Sequence, residues 1–174
     1  IAPEPLRSLT QSLIAVSPQT QRVGVFANAD LGTIAEFQTA GQLTGIQLHG
    51  DETVEDCQRV RDRLPEVEII KAIRVKDATS LDHALAYVPV VDALLLDAYR
   101  PGVLGGTGAT LDWEALTAFK PACPWLLAGG LRPDNIRQAL ERITPDGIDL
   151  SSGVERSPGY KDLTKVAQLF EKLP

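Results

Sequence analysis

The chain contains no methionine, two cysteines and few aromatic residues, 5% of the total. The missing methionine includes an initiator, which points to a translational start upstream of Ile1. Cys57 and Cys123 form no CxxC pair and have no histidine near them in sequence, so neither a disulfide frame nor a zinc site is supported. Both read as small core residues. With 17 Lys and Arg against 23 Asp and Glu the net charge is −6, and no basic stripe or Lys/Arg run interleaved with aromatics occurs, which argues against a nucleic-acid partner. No segment approaches the roughly 20 apolar residues that a membrane span needs. No secretory signal opens the chain either, so a cytoplasmic setting without a membrane partner is expected. Composition breaks, repeats and low-complexity tracts are also missing, so residues 1–174 are expected to form one domain, and at 44% hydrophobic the chain can fill its core.

What is present is a steady alternation of two kinds of segment. Short apolar runs occur at Val23–Phe26, Gly45–Leu48, Ile69–Ile73, Ala93–Leu96, Trp125–Leu127 and Ile148–Leu150. Six strands are expected, most of them covered on both faces as in a parallel sheet. Between them the apolar residues take helical spacing: Val54, Cys57, Val60 and Leu64; Leu81, Ala84, Leu85 and Val88; Ile136, Ala139, Leu140 and Ile143; Leu163, Val166, Leu169 and Phe170. A first helix enters through Pro3 and Pro5 ahead of Leu6, Leu9 and Leu13, without a strand before it. Such alternation predicts an α/β fold with right-handed crossovers.

Two glycine-rich loops close the series. Gly129-Gly130 follows the run ending in Ala128 and leads to Leu131-Arg132-Pro133, with Pro133 suited to the first turn of a helix; Ser151-Ser152-Gly153 follows Asp149-Leu150. Loops of this kind turn backbone N–H groups toward an anion. A pair of them late in a βα series is how a (βα) barrel holds a phosphate. An open doubly wound sheet would carry its glycine turn early, after the first strand. Polar residues also end strand after strand, at Asn28, His49, Asp97 and Ser151, as expected where strand ends converge on one mouth.

Taken in order, Val23-Gly24-Val25-Phe26-Ala27-Asn28, Gln47-Leu48-His49-Gly50, Leu95-Leu96-Asp97-Ala98, Gly105-Gly106-Thr107-Gly108 with Asp112-Trp113, Leu127-Ala128-Gly129-Gly130-Leu131, and Asp149 through Glu155 resemble the signatures of phosphoribosylanthranilate isomerase. The resemblance implies an eight-stranded (βα) barrel of the TIM type and the Amadori rearrangement of N-(5-phosphoribosyl)anthranilate in tryptophan biosynthesis, without a cofactor or metal. It covers the whole chain but departs from the family at the front. The family opens with a strand whose Lys-Ile-Cys-Gly type motif supplies a cysteine base, and a second strand ends near a substrate-binding arginine. Neither is matched here, so about six βα units are expected, with the first strand, first helix and second strand absent.

Opening the aminoaldose ring needs a general acid at the furanose oxygen, and a base must then remove the C2′ proton. Asp97 follows four apolar residues at a strand end and takes the acid's role by the resemblance; otherwise it caps the next turn. Gly129, Gly130, Ser152 and Gly153 are the phosphate residues, against a reading as turn punctuation. Asp149 either contacts the sugar or is a buried structural carboxylate. His49 either contacts substrate or hydrogen-bonds within the mouth, and Thr107 is either a ligand donor or part of an ordinary loop. Trp113 reads as the packed first turn of a helix. Neither cysteine inherits the base by motif. Three readings therefore stand: the isomerase acting on a phosphorylated sugar-anthranilate; a non-catalytic truncated barrel fragment that keeps its phosphate loops and self-associates through open edges; and a sister phosphate barrel such as indoleglycerol-phosphate synthase or the histidine-pathway isomerase.

Overall fold

The computed structural model describes residues 2–97 and 116–173. Helices α1 (Pro3–Val16), α2 (Leu31–Gly41), α3 (Val54–Arg63) and α4 (Ala78–Leu85) alternate with strands β1 (Val23–Phe26), β2 (Gly45–Leu48), β3 (Glu68–Arg74) and β4 (Ala93–Asp97). After residue 115 come β5 (Trp125–Ala128), α5 (Ile136–Arg142), β6 (Gly147–Ile148), a 3-10 turn at Ser152–Val154, a hairpin of β7 (Glu155–Ser157) and β8 (Tyr160–Lys161), and α6 (Leu163–Lys172). Strands β1 to β6 form one sheet in sequence order, which is what successive βα units generate. The pairs β1 with β2, β2 with β3, and β5 with β6 are parallel. Five of the six expected strands lie where the apolar runs place them, and the sixth, β6, begins one residue earlier and shares only Ile148 with its run. The antiparallel hairpin β7–β8 and helix α2 were not among the expected elements.

The described residues divide into two compact units, 2–72 with 86–94, and 73–85 with 95–97 and 116–173, so the boundary passes through β3 and β4. In unit 1 the core is Ile34, Ile46, Leu48, Cys57, Ile69 and Leu94, each almost fully buried. Its helices start where side chains satisfy the first orphan amides: the Asp30 carboxylate accepts from Thr33 N at the head of α2, and Thr53 and Asp56 form a capping box on α3. Helix α1 meets the end of α2 through a buried hydrogen bond from Thr10 Oγ1 to Gly41 O of 3.1 Å. Strand β1 departs from the expectation of two covered faces, because Val23 and Val25 lie on one side of the pleat and are 40% and 62% exposed. Unit 2 is built on Leu95, Leu96, Leu116, Leu127 and Ile136, with Phe119 edge-on to Trp125 at 5.8 Å.

The amino ends of the strands share one device. The residue just before β2, β4 and β6 carries a side-chain acceptor for the chain entering the preceding strand: Thr44 Oγ1 accepts from Arg22 N (2.9 Å), Asp92 Oδ2 from Ile69 N (2.7 Å) and Asp146 Oδ2 from Trp125 N (2.9 Å). Asp92 also binds Arg61 of α3 at 2.7 Å. These bonds satisfy strand-entry amides and fix register at one end of the sheet, leaving the carboxyl ends for other chemistry.

Candidate functional site

In unit 1 the chain leaves β1 through Ala27 into Asn28, which adopts a left-handed conformation at φ 55°. Short polar side chains tolerate this region best among non-glycine residues. The turn after β2 packs hard against it: a Cβ on Gly50 would lie 2.4 Å from Asn28 Oδ1 and 2.6 Å from Asn28 N, so only glycine fits. Asp51 N donates to Asn28 Oδ1 (2.7 Å), and His49 N donates to Phe26 O (2.7 Å). His49 is half-buried just past β2, and its Nδ1 faces the Gln47 side-chain amide Nε2 at 3.0 Å. The amide donates, so the ring accepts at Nδ1 and carries its proton on Nε2.

Beneath this turn lies a buried ion pair. Lys71 Nζ is 2.8 Å from Glu52 Oε2, with the side chains 2% and 6% exposed. Burial works against ionisation of Glu52, but the Lys71 ammonium and the Asn28 amide outweigh it and hold the carboxyl below its ordinary value of 4.5. Neither residue was a sequence candidate. The available signal was a lysine in the middle of the apolar run Ile69 to Ile73, a position that a charge occupies only with a partner.

Unit 2 holds Asp97, Asp149 and both glycine loops. Asp97 is half-buried at the last position of β4, and its carbonyl accepts from Val75 N at 3.0 Å. Asp149 lies just past β6 rather than inside a strand; its N–H still donates to Leu127 O (2.8 Å), and it is exposed, which removes the reading as a buried structural carboxylate. Gly129 and Gly130 have φ of 89° and 64°, a region that L side chains avoid. Pro133 is not in the first helical turn: it sits in a turn closed by Asn135 N and Ile136 N on Arg132 O, and α5 starts at Ile136. Asn135 supports the loop on both sides, with Nδ2 donating to Gly130 O (3.0 Å) and Oδ1 accepting from Arg132 N (2.8 Å).

The two glycine loops touch. A Cβ built on Gly153 would fall 1.8 Å from Leu131 O, so the backbone after β6 rests directly on the backbone after β5. Lys161 Nζ donates to Ser151 O (3.0 Å) and to Glu155 Oε1 (2.8 Å), bringing a cation to this turn from the unexpected hairpin. A cavity of about 630 Å³ reaching Gly153 is lined by charges of both signs, Arg132, Arg137, Lys165 and Lys172 with Asp134 and Glu171. Thr107, with Gly105–Gly108, Asp112 and Trp113, lies outside the described residues.

The cysteines are placed apart from these strand ends. Cys57 is fully buried in α3, where burial pushes its thiol up to about 11. Cys123 precedes β5 at its amino end and is only half-buried, so it is not the core residue expected. Among the described residues no helix is long and apolar enough to cross a membrane.

The chain is similar to known proteins. The family model for N-(5'-phosphoribosyl)anthranilate (PRA) isomerase matches residues 6–172. The isomerase of that name from Synechococcus elongatus is 56% identical over 173 residues, which is 99% of this chain and 79% of the relative. The crystal structure of phosphoribosyl anthranilate isomerase from Thermotoga maritima is similar with a TM-score of 0.85 at 34% identity, covering 99% of this chain and 80% of that one. A second solved isomerase, in complex with reduced 1-(o-carboxyphenylamino)-1-deoxyribulose 5-phosphate, matches with a TM-score of 0.81 at 31% identity, covering 99% and 79% of the two chains. Sharing more than half its residues with such a relative and the backbone course of the solved enzymes, the chain belongs to the N-(5'-phosphoribosyl)anthranilate isomerase family.

Proposed function

We propose that the protein converts N-(5'-phosphoribosyl)anthranilate to 1-(2-carboxyphenylamino)-1-deoxyribulose 5-phosphate in tryptophan biosynthesis. Asp97 is the general acid that protonates the furanose oxygen as the ring opens to the Schiff base. A general base then takes the C2′ proton to give the enol, which tautomerises to the ketone; no electrons enter or leave, and no external oxidant or cofactor is consumed. Gly129, Gly130, Ser152 and Gly153 hold the phosphate through backbone N–H groups, with Lys161 adding charge. His49 donates from Nε2 to substrate, Asp149 accepts from the sugar, and Thr107 completes the substrate contacts.

The observation that carries this reading is the sequence of strand ends in unit 2: Asp97 ends β4, and the next two strands in the sheet, β5 and β6, end in glycine loops joined at Gly153 and Leu131. Neither thiol suits the C2′ proton, since Cys57 is a buried thiol with a raised pKa and Cys123 lies at a strand's amino end. Residues 1–174 are read as one (βα) barrel domain of the TIM type, in keeping with the solved isomerases. A cytoplasmic location is supported by two thiols not joined in a disulfide. Self-association along β1, the first strand of the sheet, is supported by exposed Val23 and Val25.

The test is turnover. Protein expressed from its full reading frame should isomerise phosphoribosylanthranilate, and complete inactivity of a folded preparation toward it would refute the assignment. Sedimentation across a concentration series checks the self-association.

A further inference from the structure

Lys71 occupies the middle of β3 between Ile70 and Ala72 and is 2% exposed. An ammonium in such a place is tolerated only when it is paired and hydrogen-bonded. All three of its donors are accounted for: Leu48 O at 3.1 Å, Gly50 O at 2.9 Å and Glu52 Oε2 at 2.8 Å. The first two are the carbonyls on either side of His49. Glu52 closes the same turn from below, its Oε2 accepting from Gly50 N (2.9 Å) and its Oε1 from Asn28 N (2.7 Å). Tyr87 donates its hydroxyl to Glu52 O (3.0 Å) and sets its ring 5.9 Å from Lys71 Nζ. One ammonium and one carboxylate thus hold the backbone on either side of His49, at Leu48 and Gly50, while Gln47 contacts the ring.

Packing alone does not call for this device, because a buried ion pair contributes little stability beyond what apolar side chains of similar volume provide. Orienting two carbonyls that flank a single side chain does call for a donor beneath them. We infer that Lys71 and Glu52 are positioning residues for the isomerisation, clamping the turn Leu48-His49-Gly50 so that the imidazole presents its Nε2–H to the sugar-phosphate substrate. This rests on the reading of His49 as a substrate contact.

The experiment compares Lys71→Met, Glu52→Gln and the double variant, each alone and combined with His49→Ala, by steady-state kinetics and by the ¹⁵N resonances of the His49 ring. Lys71→Met alone strands a buried carboxylate and can fail to fold; the double variant removes both charges and keeps the test available. In the folded double variant, KM should rise about tenfold with kcat changed less than about threefold, an effect of the size that neighbouring groups commonly exert on one another. The His49 ring resonances should move as well. With His49 already alanine, the same double substitution should change KM less than about twofold, since the two act through one side chain. Unmoved ring resonances in the folded double variant, or a KM penalty that persists undiminished without His49, would overturn the inference. His49→Ala with normal KM would instead remove His49 from the substrate contacts, and the ring resonances would then decide the clamp by themselves.

Discussion

The turn after β2 and the turns after β5 and β6 leave their strands at comparable points in βα units, yet they are fixed by different means. Among the described residues the buried charged side chains are Glu52 and Lys71, both under the β2 turn of unit 1. In unit 2 the turns are held by backbone lying on backbone, Gly153 against Leu131, with two glycines at positive φ and a half-exposed Lys161 paired with a largely covered Glu155 nearby. On the proposed reading, the difference follows from what each turn presents. A side chain such as His49 is aimed by fixing its flanking carbonyls, and buried charge does this firmly. A phosphate is met by amide N–H groups, which are exposed to it only where side chains are absent.

The comparison is broken most severely at Asp97. Replacement by Asn should reduce turnover about 10²–10⁴-fold with little change in KM, the usual worth of a positioned general acid. Near-normal turnover would move the acid's role off the unit 2 strand ends.

Lys71→Met should cost about 3–5 kcal/mol of unfolding free energy by leaving Glu52 buried and unpaired, whereas the double variant with Glu52→Gln should recover the part due to the stranded charge but not the lost bonds to Leu48 O and Gly50 O. Denaturant titration separates the two, and equal losses would mean that charge is not what fixes the β2 turn. Gly153→Ala should cost about 1–3 kcal/mol and weaken phosphate binding, because the added methyl meets a backbone carbonyl that cannot swing aside. Gly130→Ala meets no atom within 4 Å, so only its φ of 64° opposes it, for about 1–2 kcal/mol. If Gly130→Ala proved the worse of the two, conformation and not loop contact would govern the unit 2 turns.

Acid sharpens the contrast more gently. The Glu52 carboxyl titrates below its ordinary 4.5 in the folded protein, so its contribution is complete above that value and is lost as pH falls through the lower folded value. Stability below about pH 4.5 should therefore decline less steeply in the Glu52→Gln/Lys71→Met variant than in the parent, as read by thermal unfolding at a series of pH values. The smallest effect concerns the thiols. With the Cys57 thiol raised to about 11, a thiol reagent at pH 8 should modify Cys123 well before Cys57.

Much of this was open to inspection in the chain. Each of the six sheet strands overlaps an apolar run, most fully in β2 and β4, which are buried nearly throughout, and least in β6, which shares only Ile148 with its run. Helix α2 is faint in the sequence because Gly32, Thr33, Thr39 and Gly41 dilute its apolar stripe; its strongest local mark is the Asp30 cap. The hairpin leaves no mark in the sequence because Glu155-Arg156-Ser157 and Tyr160-Lys161 are too short and polar to show an alternating pattern. At the site, glycine loops and a strand-end aspartate are local signals. The Lys71 clamp is not, since its acceptors lie 19 to 23 residues earlier.

By itself, then, the sequence determined where the strands and most helices fall, where the chain must turn on glycine, and which family's motifs it carries. These properties are legible because each is imposed along one element, by the burial of alternate or successive side chains and by the φ that a turn demands. Only the tertiary structure decided that Gly153 rests on Leu131, that Lys71 lies beneath His49, and that Asp149 is exposed beyond its strand. Those outcomes depend on strand order and register, which bring together residues that no local pattern links and which set the distance between backbones that each encode only their own turn.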